Sequence, residues 1–217
     1  MIKKERYSLQ GTQLGGAAGE PPREMRSEAM HGQAVHFNHI GGAMNEVEKC
    51  IRERRSTPRF KQVPVARELV ERVIEAGLWA PSGMGKQSPI IVAVTNRKLR
   101  DELAEENRRI MGAPEGMDPF YGAPVVLVVL ASAAMSTRVY DGSATIENML
   151  LAAHSLGLGG HWIHRAKEEF EEPRYKELLA SLGVEGDYEG IGHVVIGYPD
   201  AEKAQPARKD GRVFWAE

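Results

Sequence analysis

The chain has 217 residues, with 28 Lys and Arg against 30 Asp and Glu and a formal net charge of -2. This length accommodates one well-buried core, and the near balance of charge leaves no overall field to attract nucleic acid or an anionic membrane. Cys50 is the only cysteine, which excludes an intramolecular disulfide framework and fits a reducing cytoplasm.

Residues 1–43 carry scattered Gly, Pro21-Pro22 and few large apolar side chains, too little apolar surface to offset the entropy of ordering the chain. A leader without stable structure is expected there, with residues 44–217 as the folded domain and Met44 as its functional start. Lys3 and Lys4 are not followed by an apolar segment, so no secretory signal is read. His31, His36 and His39 match no usual ligand spacing, and no metal site is expected. The apolar run Ala123 to Met135 is shorter than the roughly 20 residues that span a bilayer, so no membrane span is expected.

From Asn45 the signals sharpen. Asn45 with Glu48 reads as a capping box opening a helix to about Arg54, with Val47, Cys50, Ile51 and Arg54 on one face. Cys50 reads as a packed residue of that helix. Leu69, Val70, Val73, Ile74, Gly77 and Leu78 repeat at helical spacing until Pro81 stops them. Ile90 to Val94 reads as a strand, Lys98 to Met111 as a charged surface helix, and Pro124 to Leu130 as a fully buried strand. Gly112 to Gly122, with Phe120 and Tyr121, reads as a mobile loop. Ile146, Met149, Leu150, Ala153 and Leu156 mark a central apolar helix that stops at Gly157 and Gly159. A short strand over Gly160–Ile163, a helix over Arg174–Leu182 and a last strand over Ile191–Tyr198 complete the domain. Helices and strands interleave without strict alternation, which predicts an α+β domain with one sheet covered by helices.

Four stretches carry candidate chemistry. Arg54, Arg55, Ser56 and Thr57 end the first helix with guanidinium and hydroxyl groups suited to an anion; a basic helix end complementing the dipole gives the same pattern, and spacing does not decide. Ala80 to Gln87 places two glycines between a helix and a strand, where backbone can approach a planar ligand; ordinary turn chemistry reads equally well. Gly157-Leu158-Gly159-Gly160 follows a helix and precedes a strand, the reverse of the order a dinucleotide fingerprint needs. His161 and His164 point to different faces of a strand end and do not share a metal, and His164 is the better functional candidate. Arg208-Lys209 supplies a second basic pair that can converge with the first on one phosphate; by itself it reads as a solvated tail pair.

Taken in order, Arg54-Arg55-Ser56, the Ala-Pro-Ser-Gly loop, Gly157-Leu158-Gly159 before Trp162, Gly197-Tyr198-Pro199 and Arg208-Lys209 resemble the nitroreductase family of FMN enzymes. The resemblance spans about Asn45 to Glu217. It implies a nitroreductase-like α+β fold with a central, mainly antiparallel sheet, and an intertwined homodimer whose two FMN sites are each built from both chains. By the same resemblance Arg54, Arg55, Ser56, Arg208 and Lys209 look like phosphate ligands. Pro81, Ser82, Gly83 and Gln87 resemble the loop that lines the ribityl chain and ring in the family, and Ile163, His164 and Arg165 stand where family members present backbone near the reactive flavin nitrogen. Lys86, Phe120 and Tyr121 are candidates for the acceptor pocket, with packing on the core an equal reading for Phe120 and Tyr121. The implied activity is two-electron, ping-pong transfer from NADH or NADPH to a nitroaromatic, quinone or similar small electron-poor acceptor. No side chain is needed as a catalytic nucleophile, because the flavin carries the chemistry. Other flavin chemistry on the same scaffold, such as dehalogenation or flavin cleavage, and non-enzymatic FMN binding or sensing are the alternatives. The chain departs from the family pattern at Pro58, where a basic residue is usual and Arg59 follows, at Gly85 in place of Asn, and at Ser88-Pro89 in place of Pro-Trp.

Overall fold

The structure, a computed structural model, describes residues 43–201 and 203–216. The expected leader up to residue 42, with His31, His36 and His39, lies outside the described residues. The described chain through Arg208 forms one compact unit. The tail from Lys209 onward belongs to a second unit and is exposed along its described length, including Phe214 and Trp215.

Four strands pair antiparallel throughout in the order β1-β2-β4-β3: β1 (Pro89–Val94), β2 (Val125–Ser132), β3 (Gly159–Ile163) and β4 (Tyr188–Gly197). β2 lies inside the sheet and reads Val-Val-Leu-Val-Val-Leu-Ala, all buried. Its alternate residues enter two different cores. Val126, Val128 and Leu130 join Leu103, Phe120, Phe170 and Tyr175 on one face, while Val125, Leu127 and Val129 join Val70, Val73, Ile146, Met149 and Ala153 on the other. An uninterrupted apolar run is what a strand covered on both faces requires. The sheet is therefore the middle layer of three, the α+β arrangement expected. The β2–β4 register slips between Val129 and Leu130, where Val129 faces Gly192 but Leu130 faces Gly190, leaving Ile191 as the extra residue of a β-bulge.

On one face lie α2 (Arg67–Leu78) and α4 (Arg138–Ser155); on the other lie α3 (Arg97–Met111), α5 (Ala166–Glu171) and α6 (Pro173–Ser181). α4 starts eight residues before the first apolar mark read from the sequence. Its first turns carry Asp141, Gly142 and Thr145, which are buried by close packing and hydrogen bonding, so hydrophobic periodicity does not announce them. α5, absent from the sequence reading, is six residues long and shows one large apolar residue, Phe170. α3 is more than a surface helix, because Arg100, Leu103, Ala104, Glu106 and Asn107 are all buried. No helix of the described residues is long and apolar enough to cross a membrane.

α1 (Glu46–Glu53) begins with the expected capping box, Glu48 N–H donating to Asn45 Oδ1 and Asn45 N–H to Glu48 Oε2. Its apolar face is not covered in the protomer: Val47 is 66% and Ile51 52% exposed. Cys50 is half-buried, with its thiol donating to the Leu151 carbonyl at 3.4 Å. Burial pushes that thiol up from its ordinary range, which disfavours the nucleophilic thiolate.

The loop expected to be mobile is fastened. Asp118 accepts from the Phe120 and Gly122 N–H groups at 2.9 and 2.8 Å and pairs with Arg100, which is 3% exposed and also donates to the Ala123 carbonyl at 3.0 Å. Phe120 is wholly buried in the α3 side of the core.

Gly190, beside the bulge, sits so close to the start of α5 that a Cβ there would collide with the Ala166 carbonyl oxygen and carbon, backbone atoms that cannot step aside. Gly190→Ala is expected to destabilise the protein by about 2–3 kcal/mol, read as a lowered denaturant midpoint with unchanged slope. Wild-type stability in that variant would contradict the close approach.

Candidate functional site

After α1 the chain runs along the start of β3. Ser56 and Gly160 form a parallel bridge, and the Thr57 N–H donates to the Gly160 carbonyl at 3.0 Å. Glycine is needed at Gly159 because a Cβ would meet the Thr57 side chain. This seam opens a cleft of about 260 Å³ lined by Arg54, Arg55, Ser56, Thr57, His154, Gly159, Gly160 and Lys203, among others. Arg54 Nε is buried without a hydrogen-bond partner; the nearest carboxylate oxygen recorded for it, Glu147 Oε1, is 3.7 Å away. An unsatisfied buried donor costs about 1–3 kcal/mol, and an anionic acceptor in the cleft would offset that cost. Guanidinium, ammonium and hydroxyl donors on one concave surface form an anion site.

His161 stands behind this seam. A ring nitrogen, Nδ1, lies 3.0 Å from the Thr57 carbonyl, and the ring stacks on Tyr121 with centroids 4.6 Å apart. Burial pushes the imidazole below its usual range, the Thr57 carbonyl opposes that, and the Lys203 and Arg54 cations lower it further. Tyr121, 37% exposed with a positive φ of 55°, is thereby tied to β3.

The Ala80–Gln87 loop is shaped by a group the sequence reading did not single out. Asp141, 4% exposed in the first turn of α4, accepts from the Gly83 N–H at 2.9 Å, the Thr137 hydroxyl at 3.0 Å and the Ser88 hydroxyl at 3.2 Å. Ser82 Oγ accepts from the Gln87 N–H at 2.8 Å, closing the loop around a 3₁₀ turn at Gly83–Gly85. Pro81, Met84, Gly85, Lys86 and Gln87 remain exposed, with Met84 and Gln87 at positive φ. Two non-glycine residues in the left-handed region mark a loop held in one shape by its surroundings. Ser88, a departure from the family pattern, is thus part of the clamp.

Beyond β3, His164 is exposed, and its carbonyl accepts from Asn107 Nδ2 at 2.8 Å. Arg165 follows at φ 80°, a left-handed conformation that costs about 1–2 kcal/mol for a side chain with a Cβ.

The structure brings some expected residues together and separates others. Arg54, Arg55 and Ser56 share the cleft, whereas Arg208 is exposed and does not line it; Lys203 does, with His154 and Thr57. Lys209 lies in the separate tail. Of the two roles open to Phe120, core packing is the one it takes. Arg59 turns away to pair with Asp200 at 2.8 Å, so it does not stand in for the basic residue that Pro58 displaces. The Ser82–Gln87 loop is fixed at Asp141 and the anion cleft at His154, thirteen residues apart on α4, about 20 Å along its axis. Within one protomer the two do not meet.

The comparisons agree with this architecture. The family model described as "Nitroreductase family" matches residues 51–198. A protein of Archaeoglobus fulgidus, provisionally named NADH dehydrogenase/NAD(P)H nitroreductase, is 30% identical over 74% of this chain and 89% of its own length. A protein of the same name from Methanothermobacter thermautotrophicus is 29% identical over 57% of this chain, which spans 64% of it. Among solved structures, a nitroreductase with bound FMN from Bacteroides fragilis superposes with a TM-score of 0.73 at 29% identity, over 80% of this chain and 100% of its own. The fold and the match place the chain among three-layered α+β proteins of one lineage; it belongs to the nitroreductase family.

Asp141→Ala would leave the Gly83 N–H and two hydroxyls without their acceptor. It is expected to cost about 2–4 kcal/mol of stability and to speed amide exchange at Gly83 well before the β2 amides. Unchanged exchange at Gly83 would show that the clamp does not hold the loop. The depressed His161 value gives a second expectation. Its neutral form is favoured on folding, so its contribution to stability is present above the ordinary value of 6.5 and is lost as pH falls below it. Filling the cleft with phosphate would offset the Lys203 and Arg54 charges, so the His161 ring resonances should titrate at higher pH in phosphate than in chloride of equal ionic strength.

Proposed function

We propose that the protein is an FMN-dependent NAD(P)H oxidoreductase acting on small electron-poor acceptors such as nitroaromatics or quinones. The observation that carries this reading is the Arg54–Thr57 cleft with its unpartnered Arg54 donor, in a chain whose family includes a structure with bound FMN.

Arg54 and Arg55 would grip the phosphate with charge-assisted hydrogen bonds, Ser56 and Thr57 would donate from the β3 seam, and Lys203 would take the place expected of Arg208. Pro81, Ser82, Gly83 and Gln87 would line the ribityl chain and ring with backbone pre-shaped by Asp141. The Ile163-His164-Arg165 backbone would face the reactive edge. Lys86 and Tyr121, both exposed, are the candidate contacts to the acceptor. When bound, FMN supplies two-electron transfer from NADH or NADPH to the acceptor, each using the same pocket in turn.

The same reading calls for two chains. The cleft is smaller than the roughly 300–1,000 Å³ of a small-molecule site, and the loop that would cover the ring stands about 20 Å away along α4. A second copy bringing its own Ser82–Gln87 loop to this cleft would complete the site. It would also cover apolar side chains left open here, among them Val47, Ile51, Trp79 and Tyr140. Patches of this kind on one protomer mark an interface.

Three results test the proposal. The purified protein should be yellow or bind added FMN stoichiometrically, and a colourless protein that refuses FMN ends the reading. Arg54→Ala should weaken FMN binding by roughly 10- to 100-fold, the worth of a charge-assisted hydrogen bond, while unchanged affinity contradicts the phosphate assignment. Co-expression of an Arg54→Ala chain with a Gly83→Val chain should restore the tight FMN binding that each variant alone loses. Failure to recover binding would show that each chain builds its site unaided.

A further inference from the structure

The core facing α3 holds three polar residues that the binding reading does not use. Asn107, Glu169 and His193 are all 0% exposed. His193 Nε2 lies 2.8 Å from Glu169 Oε2, and Asn107 Nδ2 donates to Glu169 Oε1 at 2.7 Å. The second hydrogen of the same amide nitrogen goes to the His164 carbonyl at 2.8 Å. Burying a carboxylate, an imidazole and an amide together is costly unless their geometry is satisfied, and apolar residues of similar volume would pack this core without that cost. Two atoms are left unsatisfied even so, His193 Nδ1 and Asn107 Oδ1. The one atom outside the cluster that it holds is a backbone oxygen.

That oxygen belongs to the peptide joining His164 to Arg165. In a trans peptide the carbonyl and the following N–H point in opposite directions, and the described chain has no cis bonds. With the His164 carbonyl drawn inward to Asn107, the Arg165 N–H is turned outward. Arg165 keeps its left-handed φ of 80° only because both sides of it are fixed. Asn107 holds the residue before it, and the Ala166 carbonyl, one residue after it, is set against Gly190. From Gly160 in the anion cleft to His164, β3 advances about 13 Å, so this peptide stands at the far end of the same strand that carries the phosphate seam.

We propose that Asn107, oriented by the buried Glu169–His193 pair, is a positioning residue that sets the direction of the Arg165 N–H toward the redox-active edge of the bound flavin. This rests on the FMN reading for the identity of the ligand, while the backbone orientation stands without it. The amide donates to Glu169 and to His164 at once, so the carboxylate fixes its rotamer, and the imidazole, packed 5.3 Å from the Phe120 ring, fixes the carboxylate. The buried cluster acts on the ligand only through one peptide plane.

Asn107→Leu keeps the forked shape of the side chain and removes both donors. In the purified full-length protein, the Arg165 backbone amide resonance should be displaced or broadened, with the Val126 to Val129 amides of β2 unchanged. In FMN-loaded enzyme, FMN occupancy and the KM for the nicotinamide should stay within about twofold. Turnover should fall, and the midpoint potential of the bound flavin should be displaced by about 30 mV, the equivalent of a tenfold change in the relative binding of its two redox states. An Arg165 amide resonance and a potential both equal to wild type overturn the proposal, as does a turnover loss that merely tracks lost flavin. If the Leu variant does not fold, Asn107→Ser and Glu169→Gln carry the same readouts. Should the wild type take up no FMN, the FMN reading fails, and the Arg165 amide resonance still decides whether Asn107 holds the peptide.

Discussion

The packing of α4 across the sheet governs everything near the candidate site. Ile146, Met149, Leu150 and Ala153 lie against Leu127, Val129, Val194 and Ile196, and two glycines set how close the helix comes. A Cβ at Gly142 would lie 2.6 Å from Ile191 Cγ1, and one at Gly77 would lie 2.6 Å from Met149 Cγ. Protein interiors do not deform smoothly around such contacts, so the helix is a rigid spacer with a fixed azimuth. Asp141 at one end and His154 at the other therefore have a set separation. The clamped Ser82–Gln87 loop lies at one end and the Arg54–Thr57 cleft at the other.

Charge is handled differently at those two ends. Around the cleft, cations and hydroxyl groups gather without a full complement of acceptors, the arrangement expected where a ligand supplies the missing negative charge. Around Asp141 the carboxylate is surrounded by donors from its own chain, and its work is to hold backbone still. The loop it clamps then offers exposed backbone at low cost in ordering on binding. Preorganisation at one end thus stands beside an unpartnered buried donor at the other, Arg54 Nε.

Much of this was legible in the sequence. The all-buried β2, the capping box at Asn45 and the stop at Gly157 follow from local rules, and the order of short motifs pointed to the family. The cleft residues Arg54, Arg55 and Ser56 were legible because they are contiguous. Lys203 was not, since a lone lysine in a polar turn carries no pattern. Asp141, Asn107, Glu169 and His193 escaped for a related reason: polar residues on helices and strands read as solvent-facing, and only tertiary contacts reveal that their partners are backbone N–H groups or each other. α5 was missed because six residues are too few to show a helical period. The mobility expected of the Gly112–Gly122 loop was wrong because Asp118 and Arg100, eighteen residues apart in sequence, tie it to α3.

The bulge at Ile191 has an evolutionary corollary. Alternation along a strand is strict, so a one-residue slip exchanges its two sides. Here the extra residue absorbs that exchange: Tyr188 and Gly190 before it, and His193 and Val195 after it, all face the α5 layer. Shortening the strand by one residue at this spot would send the imidazole to the α4 layer or force the earlier half of the strand to invert. Point changes can accumulate elsewhere in this strand, but between Tyr188 and His193 its length is held by this exchange and Gly190 by the close approach of Ala166, so relatives should keep that stretch constant in number of letters.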